Sequence, residues 1–575
     1  MTNAELSRIF NEVADMLEIE GTDFFRVNAY RRVARTIDDL PSEIADHPRD
    51  RLEELPNVGK SQAAKIHELL ETGRLEQREK LAREVPEGLL RILEIPGTGP
   101  KRVRQLWKEL DITSIESLKS AIEDGSVAEL KGLGKKTADK MLEGIAFLER
   151  SSGRTRLSQA WPLAETLCAA IRKLPGVKRV EAAGSLRRGR ETVHDVDLIC
   201  VADNPPKIVE AFTKLSGASK VIAAGDTKGS ALFAIGEDRE IQVDLRVVEK
   251  DAFGAALLYF TGSKEHNVRL RGMAQKRGWT LNEYALTEEE TGRVVASKTE
   301  EDIYKAIGVP WIPPELREDR GELEWTETPT DLITVEDIRG ELHAHTTASD
   351  GRHSIEQMLE AAKKRGYSYL CITDHSTSSV IANGLTPERM AEHAAAVRAA
   401  GKRAKFDLWM GSEVDILPDG SIDYDDETLA TLDWVIASAH VWPQASLEHN
   451  TERIIRAMRN PYVNAIGHPT GRLLGRREEA ALDMDAICRV AAETGTALEI
   501  NATGHRLDLS DRHTRLARER GCKIVINCDA HSIDGFEQMR YGVVTGRRAG
   551  LRKDEVVNTW PAKRVREFVA AKRER

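Results

Sequence analysis

Seven short apolar segments recur through the C-terminal part of the chain, each followed by a helical stretch: ELHAH, YLCITDH, DLWMGSEVDI, WVIASAH, VNAIGHP, ALEINA and KIVINCDAH. Strands that alternate with helices are joined by right-handed crossovers into a parallel sheet, so this series predicts a β/α barrel. In such barrels the chemistry gathers where the strands end. Those ends carry His343 and His345, then Asp350 in TTASDG, then His375, Glu413, His440, His468, Asp529 and His531. A single buried histidine is usually a satisfied core residue, but nine acid and imidazole groups at corresponding strand ends are too many for that explanation. Neutral imidazoles with carboxylates suit Zn, Mn or Fe, and nine such groups suffice for two to three ions. A cluster of that kind lowers the pKa of a bridging water and polarises a phosphate oxygen, which is the chemistry of phosphoester hydrolysis.

At 575 residues the chain is expected to hold three or four separately cored units. Its 41% hydrophobic, 31% charged and 5% aromatic content is that of an ordinary globular protein. No apolar run approaches the roughly eighteen residues of a membrane helix, and the acidic, amphipathic start MTNAELSRIFNEVADMLEIEG lacks a signal peptide's basic end and apolar centre. A cytoplasmic protein with no membrane partner is therefore expected. The six cysteines (Cys168, Cys200, Cys371, Cys488, Cys522 and Cys528) have no zinc-ribbon or redox spacing and read as reduced thiols. The net charge of −10 argues against a nucleic-acid partner. Carboxylates that serve as metal ligands inflate that figure, however, and local groups such as Arg187, Arg188 and Arg190 remain basic.

Residues 4–148 are short, helical units broken by Gly and Pro. Within them ELPNVGKSQAAKI (54–66), EIPGTGPKRVRQL (94–106) and ELKGLGKKTADKM (129–141) repeat one design: an apolar residue, a Gly-x-Gly-like turn, then a helix with Lys or Arg early in it. Glycine permits positive φ and lets the next helix's free N–H groups approach a phosphate. Asn57, Gly59, Gly97, Gly99, Gly132 and Gly134 are the turn residues expected to grip DNA. Such contact reads no bases. The segments resemble helix-hairpin-helix motifs; the first departs from the pattern at Asn57, a residue that also tolerates the left-handed region.

Residues 157–317 alternate strands with helices and end in a proline-rich stop, VPWIPPELRE. In AAGSLRRGRETVHDVDLIC, Asp195 and Asp197 lie two apart on an expected strand, so both carboxylates share a face and suit bridging cations. Asp244, in REIQVDLRVV, is placed to complete the set. Two metals held there could activate a 3′-hydroxyl and neutralise a departing pyrophosphate. The Gly184-Ser185 turn and Arg188 offer a backbone cradle and a guanidinium for a triphosphate.

The strings FFRVNAYRRVART, LPNVGKSQAAKI, GSLRRGRETVHDVDL, VDLRVV, YFTGSKEHNVRLR, LNEYAL and GVPWIPPELRE resemble the family X DNA polymerases, the group of DNA polymerase beta, from the N-terminus to about residue 317. The resemblance implies that Asp195, Asp197 and Asp244 bind catalytic Mg²⁺ or Mn²⁺, with Asp244 also orienting the primer hydroxyl. It implies that Gly184, Ser185 and Arg188 hold the dNTP triphosphate. Tyr259, Phe260 and Gly262 would line the sugar pocket, with Tyr259 excluding a 2′-hydroxyl, while Asn267 and Arg271 would touch the base and template in the minor groove. His194 departs from the family, which has glycine before the first aspartate; the added bulk is expected to weaken nucleotide binding. Lys65 matches the lysine that forms a Schiff base on a 5′-deoxyribose phosphate, chemistry that needs a lowered pKa; ordinary phosphate contact is the alternative.

The barrel strings resemble the PHP domain over about residues 338–572, which implies the nine residues named above as ligands for two to three Mn²⁺ or Zn²⁺ ions. Arg472 and His505, close by in sequence, are expected near substrate phosphates. The order of the two halves is that of the bacterial and archaeal type of family X polymerase, whose barrel is associated with 3′–5′ exonuclease, 3′-end processing and abasic-site cleavage. The expected architecture is multidomain α and α/β. It comprises a helical, lyase-like N-terminal domain (1–83), a helix-hairpin-helix domain (84–155), a nucleotidyltransferase palm (156–240, continuing to 250), a nucleotide-selection subdomain (251–317), an acidic linker (318–338) with few core positions, and a distorted PHP barrel (339–575). The leading expectation is a monomeric gap-filling DNA repair enzyme acting on gapped or nicked DNA with a 3′ primer end. A phosphoesterase whose polymerase half mainly binds DNA is the alternative, and a non-catalytic scaffold has no need of two ligand clusters.

Overall fold

The computed structural model describes the chain apart from Thr2, residues 39–43, His47, Pro56, Glu94, residues 96–97, Ser152, residues 237–238, residues 443–445 and Arg575. The chain divides into two units, one of Met1–Ser152 with Gly475–Glu478 and one of Gly153–Leu474 with Glu479–Arg575.

The first unit contains the helices Asn3–Glu20, Phe24–Asp38, Lys60–Thr72, Pro100–Leu110 and Lys135–Ser151, with shorter ones between them. Leu6, Phe10, Val13 and Leu17 recur at three- and four-residue spacing and are all buried, the apolar stripe a core-facing helix requires. They join Tyr30, Ile66, Val103 and Met141 in one cluster.

The second unit opens with a five-stranded sheet made of β1 (Val177–Ala182), β2 (Asp195–Ala202), β3 (Ala218–Ala224), β4 (Lys228–Ile235) and β5 (Arg239–Val248), in the order β1-β2-β5-β4-β3. β2 and β5 are parallel and the other pairs antiparallel. The helix Leu157–Arg172 packs on one face through Leu157, Ala164, Leu167 and Ile171. On the other, Phe253, Ala256 and Leu257 of the helix Phe253–Thr261 meet Ile199 and Val201. A smaller core around Leu270, Ile303, Tyr304 and Ile312 follows.

The acidic segment 318–338 carries more core than its composition suggests: Glu322, Leu323, Leu332, Ile333 and Ile338 are all buried. It gives way to seven parallel strands in sequential order: β6 (Gly340–Glu341), β7 (Tyr369–Ile372), β8 (Asp407–Asp415), β9 (Trp434–Ser438), β10 (Ala465–Gly467), β11 (Ala497–Asn501) and β12 (Ile524–Asn527). A parallel bridge between Ala344 and Ala530 joins the first and last segments. Alternate strand residues divide between two cores, as the period of a strand dictates. Tyr369, Cys371, Trp409, Trp434, Ile436 and Val525 cluster with Val557, Trp560, Val565 and Val569 near the C-terminus. Leu370, Ile372, Met410, Val435 and Ile466 instead pack against helices such as Ile355–Lys364 and Pro387–Ala404.

The barrel and the five-stranded sheet share a core. Leu507, Tyr541 and Val544 pack with Leu157, Leu186 and Val193, and Trp161 meets Tyr541 edge-on at 6.4 Å.

Candidate functional site

Three helices in the first unit begin directly after the second glycine-like position of their turns: Lys60–Thr72 after Gly59, Pro100–Leu110 after Gly99, and Lys135–Ser151 after Gly134. Gly59 and Gly99 are N-caps without side-chain capping bonds, which leaves the helices' first N–H groups unpaired by a cap. A Cβ added at Gly59, Gly99 or Gly134 would meet nothing within 4 Å, so a phosphate has room to approach. Asn57 adopts φ 62° and Gly132 φ 84°, the left-handed turns that these residue types favour. Gly97 lies outside the described residues.

On the five-stranded sheet, Asp197 of β2 stands opposite Asp244 of β5, and Asp195 opposite Gln242. The buried residues Val196, Leu198, Val243 and Leu245 alternate with them, so the carboxylates share the more open face. Asp244 accepts hydrogen bonds from the Ser230 hydroxyl of β4 and the Gln242 amide, with Lys228 Nζ 3.8 Å away. Burial, then the charges of Asp195 and Asp244, push the Asp197 carboxyl up to about 7. A carboxylate raised by its own neighbours is a site that divalent cations relieve, so these residues fit the metals expected there.

The turn beside them is built around Asp197. Gly184 adopts φ 63°, and a Cβ there would fall 2.4 Å from Asp197 Oδ2. Arg187 is taken up by structure: with Arg317 it clamps Glu300, donating from Nη1 and Nη2 at 2.7 and 2.9 Å. Arg188, the guanidinium expected at a triphosphate, donates from Nε to Glu318 at 3.1 Å and from Nη1 to the Thr261 carbonyl. Gly262, at φ 69°, lies against it, and a Cβ would stand 3.0 Å from Arg188 Nη1. Tyr259 and Phe260 pack edge-on at 5.1 Å, Arg246 lies 4.3 Å over the Phe260 ring, and Asn267 donates to the Tyr259 carbonyl at 2.8 Å. Ser185 is half-buried, while Arg271 and His194 are exposed.

In the barrel, eight of the nine expected ligands form three overlapping groups whose donor atoms lie within 4.8 Å of one another. These are His345, Asp350, His375 and His531; His343, His345, Glu413 and Asp529; and His375, Glu413 and His440. His468 Nε2 stands 2.9 Å from Glu413 Oε1. His343 Nε2, both His345 ring nitrogens and Asp529 Oδ1 are buried without a hydrogen-bond partner. Each such orphan costs about 1–3 kcal/mol, a cost that metal coordination at those atoms removes, so this set also fits its ions. His468 (φ 27°) and Asp529 (φ 49°) hold left-handed conformations, strain of the kind found where side-chain aim matters. Burial resists ionisation of Glu413, but His440, His375 and His343 hold it well below the usual carboxylate range. Burial, His531 and His375 push His345 down to about 4, whereas Glu413 and Asp415 outweigh burial and raise His440 to about 10. Some imidazoles here are thus charged and others neutral, a mixture that divalent cations would replace by neutral ligands.

A supporting layer escapes sequence reasoning. His343 Nδ1 pairs with Glu499 at 2.8 Å, His440 Nδ1 with Asp415 at 2.8 Å, and Asn501 Nδ2 donates to Asp529 at 3.0 Å. Such partners fix ring orientation and raise ligand basicity. The only signal in the sequence was spacing, since Asp415 follows Glu413 by two and Glu499 and Asn501 alternate along β11. Arg472 is not free for a substrate: it is buried, pairs with Glu191 at 2.7 Å and donates to the Leu507 carbonyl, so it ties the barrel to the loop that leads into β2. His505 is exposed. Lys65 Nζ donates to Ser61 Oγ at 2.7 Å and lies 5.7 Å over the Tyr30 ring; burial, then Arg26, lowers its pKa.

Family models match the helix-hairpin-helix domain over residues 1–75, a SAM-like helix-hairpin-helix tandem over 89–146, the DNA polymerase beta thumb over 256–318 and the PHP domain over 341–503. The chain is 38% identical over 570 residues, 99% of each chain, to a Bacillus subtilis (strain 168) protein named DNA polymerase/3′-5′ exonuclease PolX. It is 28% identical over 253 residues, 40% of this chain and 94% of the other, to a probable phosphatase of Thermoanaerobacter sp. (strain X514). To DNA polymerase lambda of Rattus norvegicus it is 26% identical over 289 residues, 46% of this chain and 48% of the other. No described helix is long and apolar enough to cross a membrane.

Proposed function

The chain belongs to the PolX family of DNA polymerase/3′-5′ exonucleases, and from that premise we propose that it fills short gaps in DNA at the aspartate cluster and hydrolyses 3′ ends at the histidine cluster. The observation that carries this reading is the presence of two ligand nests on two different sheets, one around Asp197 and Asp244 and one around Glu413.

At the first nest, the Ser230 hydroxyl and Gln242 amide fix Asp244 so that it can orient a primer 3′-hydroxyl. The Gly184 turn would offer its backbone to the triphosphate, with Arg188 joining once released from Glu318, and Gly184 must lack a side chain for Asp197 to keep its place. Tyr259, Phe260 and Gly262 would bound the sugar, with Asn267 holding the Tyr259 carbonyl. Mg²⁺ or Mn²⁺ bound there would supply charge neutralisation for an in-line displacement. At the second nest, two to three Mn²⁺ or Zn²⁺ ions would lower the pKa of an attacking water, while Glu499 and Asp415 orient the His343 and His440 rings.

DNA binding follows from the polymerase family, and the three glycine turns supply sequence-independent phosphate contacts to a gapped or nicked duplex. Lys65, with its lowered pKa, suits Schiff-base removal of a 5′-deoxyribose phosphate. The engagement of Arg188 by Glu318 favours a second reading, in which the polymerase half only binds DNA. Labelled dNTP incorporation at a one-nucleotide gap, lost in Asp244→Ala, supports the first reading; no incorporation by the wild type supports the second.

A further inference from the structure

The turn Gly184–Arg190 is gripped from behind by the barrel. Gly189, at φ 65°, is pressed against the barrel helix Met539–Arg548, where a Cβ would fall 2.1 Å from Val544 Cγ1. At the end of that helix Arg548 is buried, its side chain 3% exposed. Its Nη1 donates to the Arg188 carbonyl at 2.7 Å and to Glu318 Oε1 at 3.0 Å, and its Nη2 donates to Asp511 at 2.9 Å. Glu318 Oε1 therefore accepts from two guanidinium groups, Arg548 and Arg188, and Arg190 lies 3.8 Å from its other oxygen. Burial would raise the Glu318 carboxyl, yet Arg548, Arg188 and Arg190, in that order, hold it below the usual range.

Arg188 commits Nε to Glu318 and Nη1 to the Thr261 carbonyl, so a triphosphate that takes the Nε edge of its guanidinium must displace Glu318. Withdrawing Arg188 from a nearly buried carboxylate is costly unless another cation stays behind. Arg548, hydrogen-bonded to Glu318 at 3.0 Å where Arg190 stands off at 3.8 Å, is the nearer of the two cations that stay, and its grip on the Arg188 carbonyl keeps the backbone in place while the side chain turns. We propose that Arg548, a residue of the barrel, is a positioning residue for the polymerase's nucleotide site: it holds the Arg188 backbone and neutralises Glu318, so that the Arg188 guanidinium is free to bind a nucleoside triphosphate. The barrel thereby sets the nucleotide affinity of the other active site. This inference rests on the polymerase reading above.

The test is steady-state filling of a one-nucleotide gap by the full chain, with 3′–5′ hydrolysis measured on the same preparations. In Arg548→Met, Glu318 is left to Arg188 alone at close range, so the KM for dNTP rises about ten-fold with kcat and hydrolysis little changed. Arg548→Lys keeps the charge and gives a smaller rise. Adding Glu318→Gln to Arg548→Met removes the competitor and brings the KM back toward that of Glu318→Gln alone, a rescue that loss of packing would not show. A KM unchanged in Arg548→Met, or a rise that Glu318→Gln does not relieve, overturns the proposal. Should Arg548→Met fail to fold, Arg548→Lys with and without Glu318→Gln measures the same coupling, and a KM that neither rises nor is relieved overturns the proposal equally. A wild type that incorporates no nucleotide would sink the polymerase reading itself, whereas an active wild type with an indifferent Arg548 sinks only this inference.

Discussion

Replacing Asp197 by asparagine should abolish gap filling and yet stabilise the metal-free protein at pH 8. The carboxyl is pushed up to about 7 from an ordinary 3.8, by burial first and by Asp195 and Asp244 next. A carboxyl raised in the folded state opposes folding wherever it is ionised: the cost begins above pH 3.8, grows through the interval and is complete above about 7. Just over three pKa units at 1.36 kcal/mol each set a ceiling of about 4 kcal/mol. Water at the open face of the sheet screens this to roughly 2 kcal/mol. Asparagine has nearly the same shape and no charge, so Asp197→Asn regains that amount. In EDTA at pH 8 the unfolding midpoint of the unit that carries the sheet should rise by roughly 2 °C. At pH 5 more of the native carboxyl is protonated while the unfolded one remains ionised, so the gain should be smaller. Excess Mn²⁺ should reverse the order, because only the wild type keeps the full ligand set to which binding adds stability. A variant less stable than wild type at pH 8 without metal, or a gain equal at both pH values, would refute the reasoning.

Three further expectations rest on the same geometry. Gly184→Ala places a methyl 2.4 Å from Asp197 Oδ2 at a positive φ; it should lower kcat for nucleotide incorporation by about a hundred-fold and leave 3′–5′ hydrolysis intact, both read on one gapped substrate. Glu499→Gln weakens the acceptor that aims His343, so the Mn²⁺ concentration giving half-maximal hydrolysis should rise about 10- to 100-fold while dNTP incorporation holds. Lys65→Ala should abolish borohydride trapping of a DNA adduct at a 5′-deoxyribose phosphate. In the wild type, trapping should rise with pH to a midpoint below the ordinary lysine value of 10.5, because burial and Arg26 disfavour the ammonium form.

What the sequence carried and what it hid divide along physical lines. Period-two alternation put Asp195 and Asp197 on one face of β2, and the strand-end pattern picked out eight of the nine expected ligands that come within mutual reach, because both signals are local. Asn57 was legible for the same reason, since one residue's tolerance of positive φ decides its turn. Long-range pairings were not legible. Glu499 lies 156 positions from His343, and nothing near either names the other. Arg472 stands four residues from His468, which suggested a substrate contact, but its partner Glu191 lies 281 residues away. The acidic run 318–338 looked like a spacer because its charges outnumber its apolar groups, yet Glu322 is buried against His266 at 2.7 Å and Glu318 joins the arginine cluster.

The central claim is that two separate ligand nests on one chain perform two reactions. Wild type, Asp195→Ala and His343→Ala should be given the same 3′-labelled gapped duplex with Mn²⁺ and dNTPs, with extension and degradation followed together. Asp195→Ala should degrade the primer without extending it, and His343→Ala should extend it without degrading. Loss of both reactions in either folded variant, or of neither, would contradict that claim.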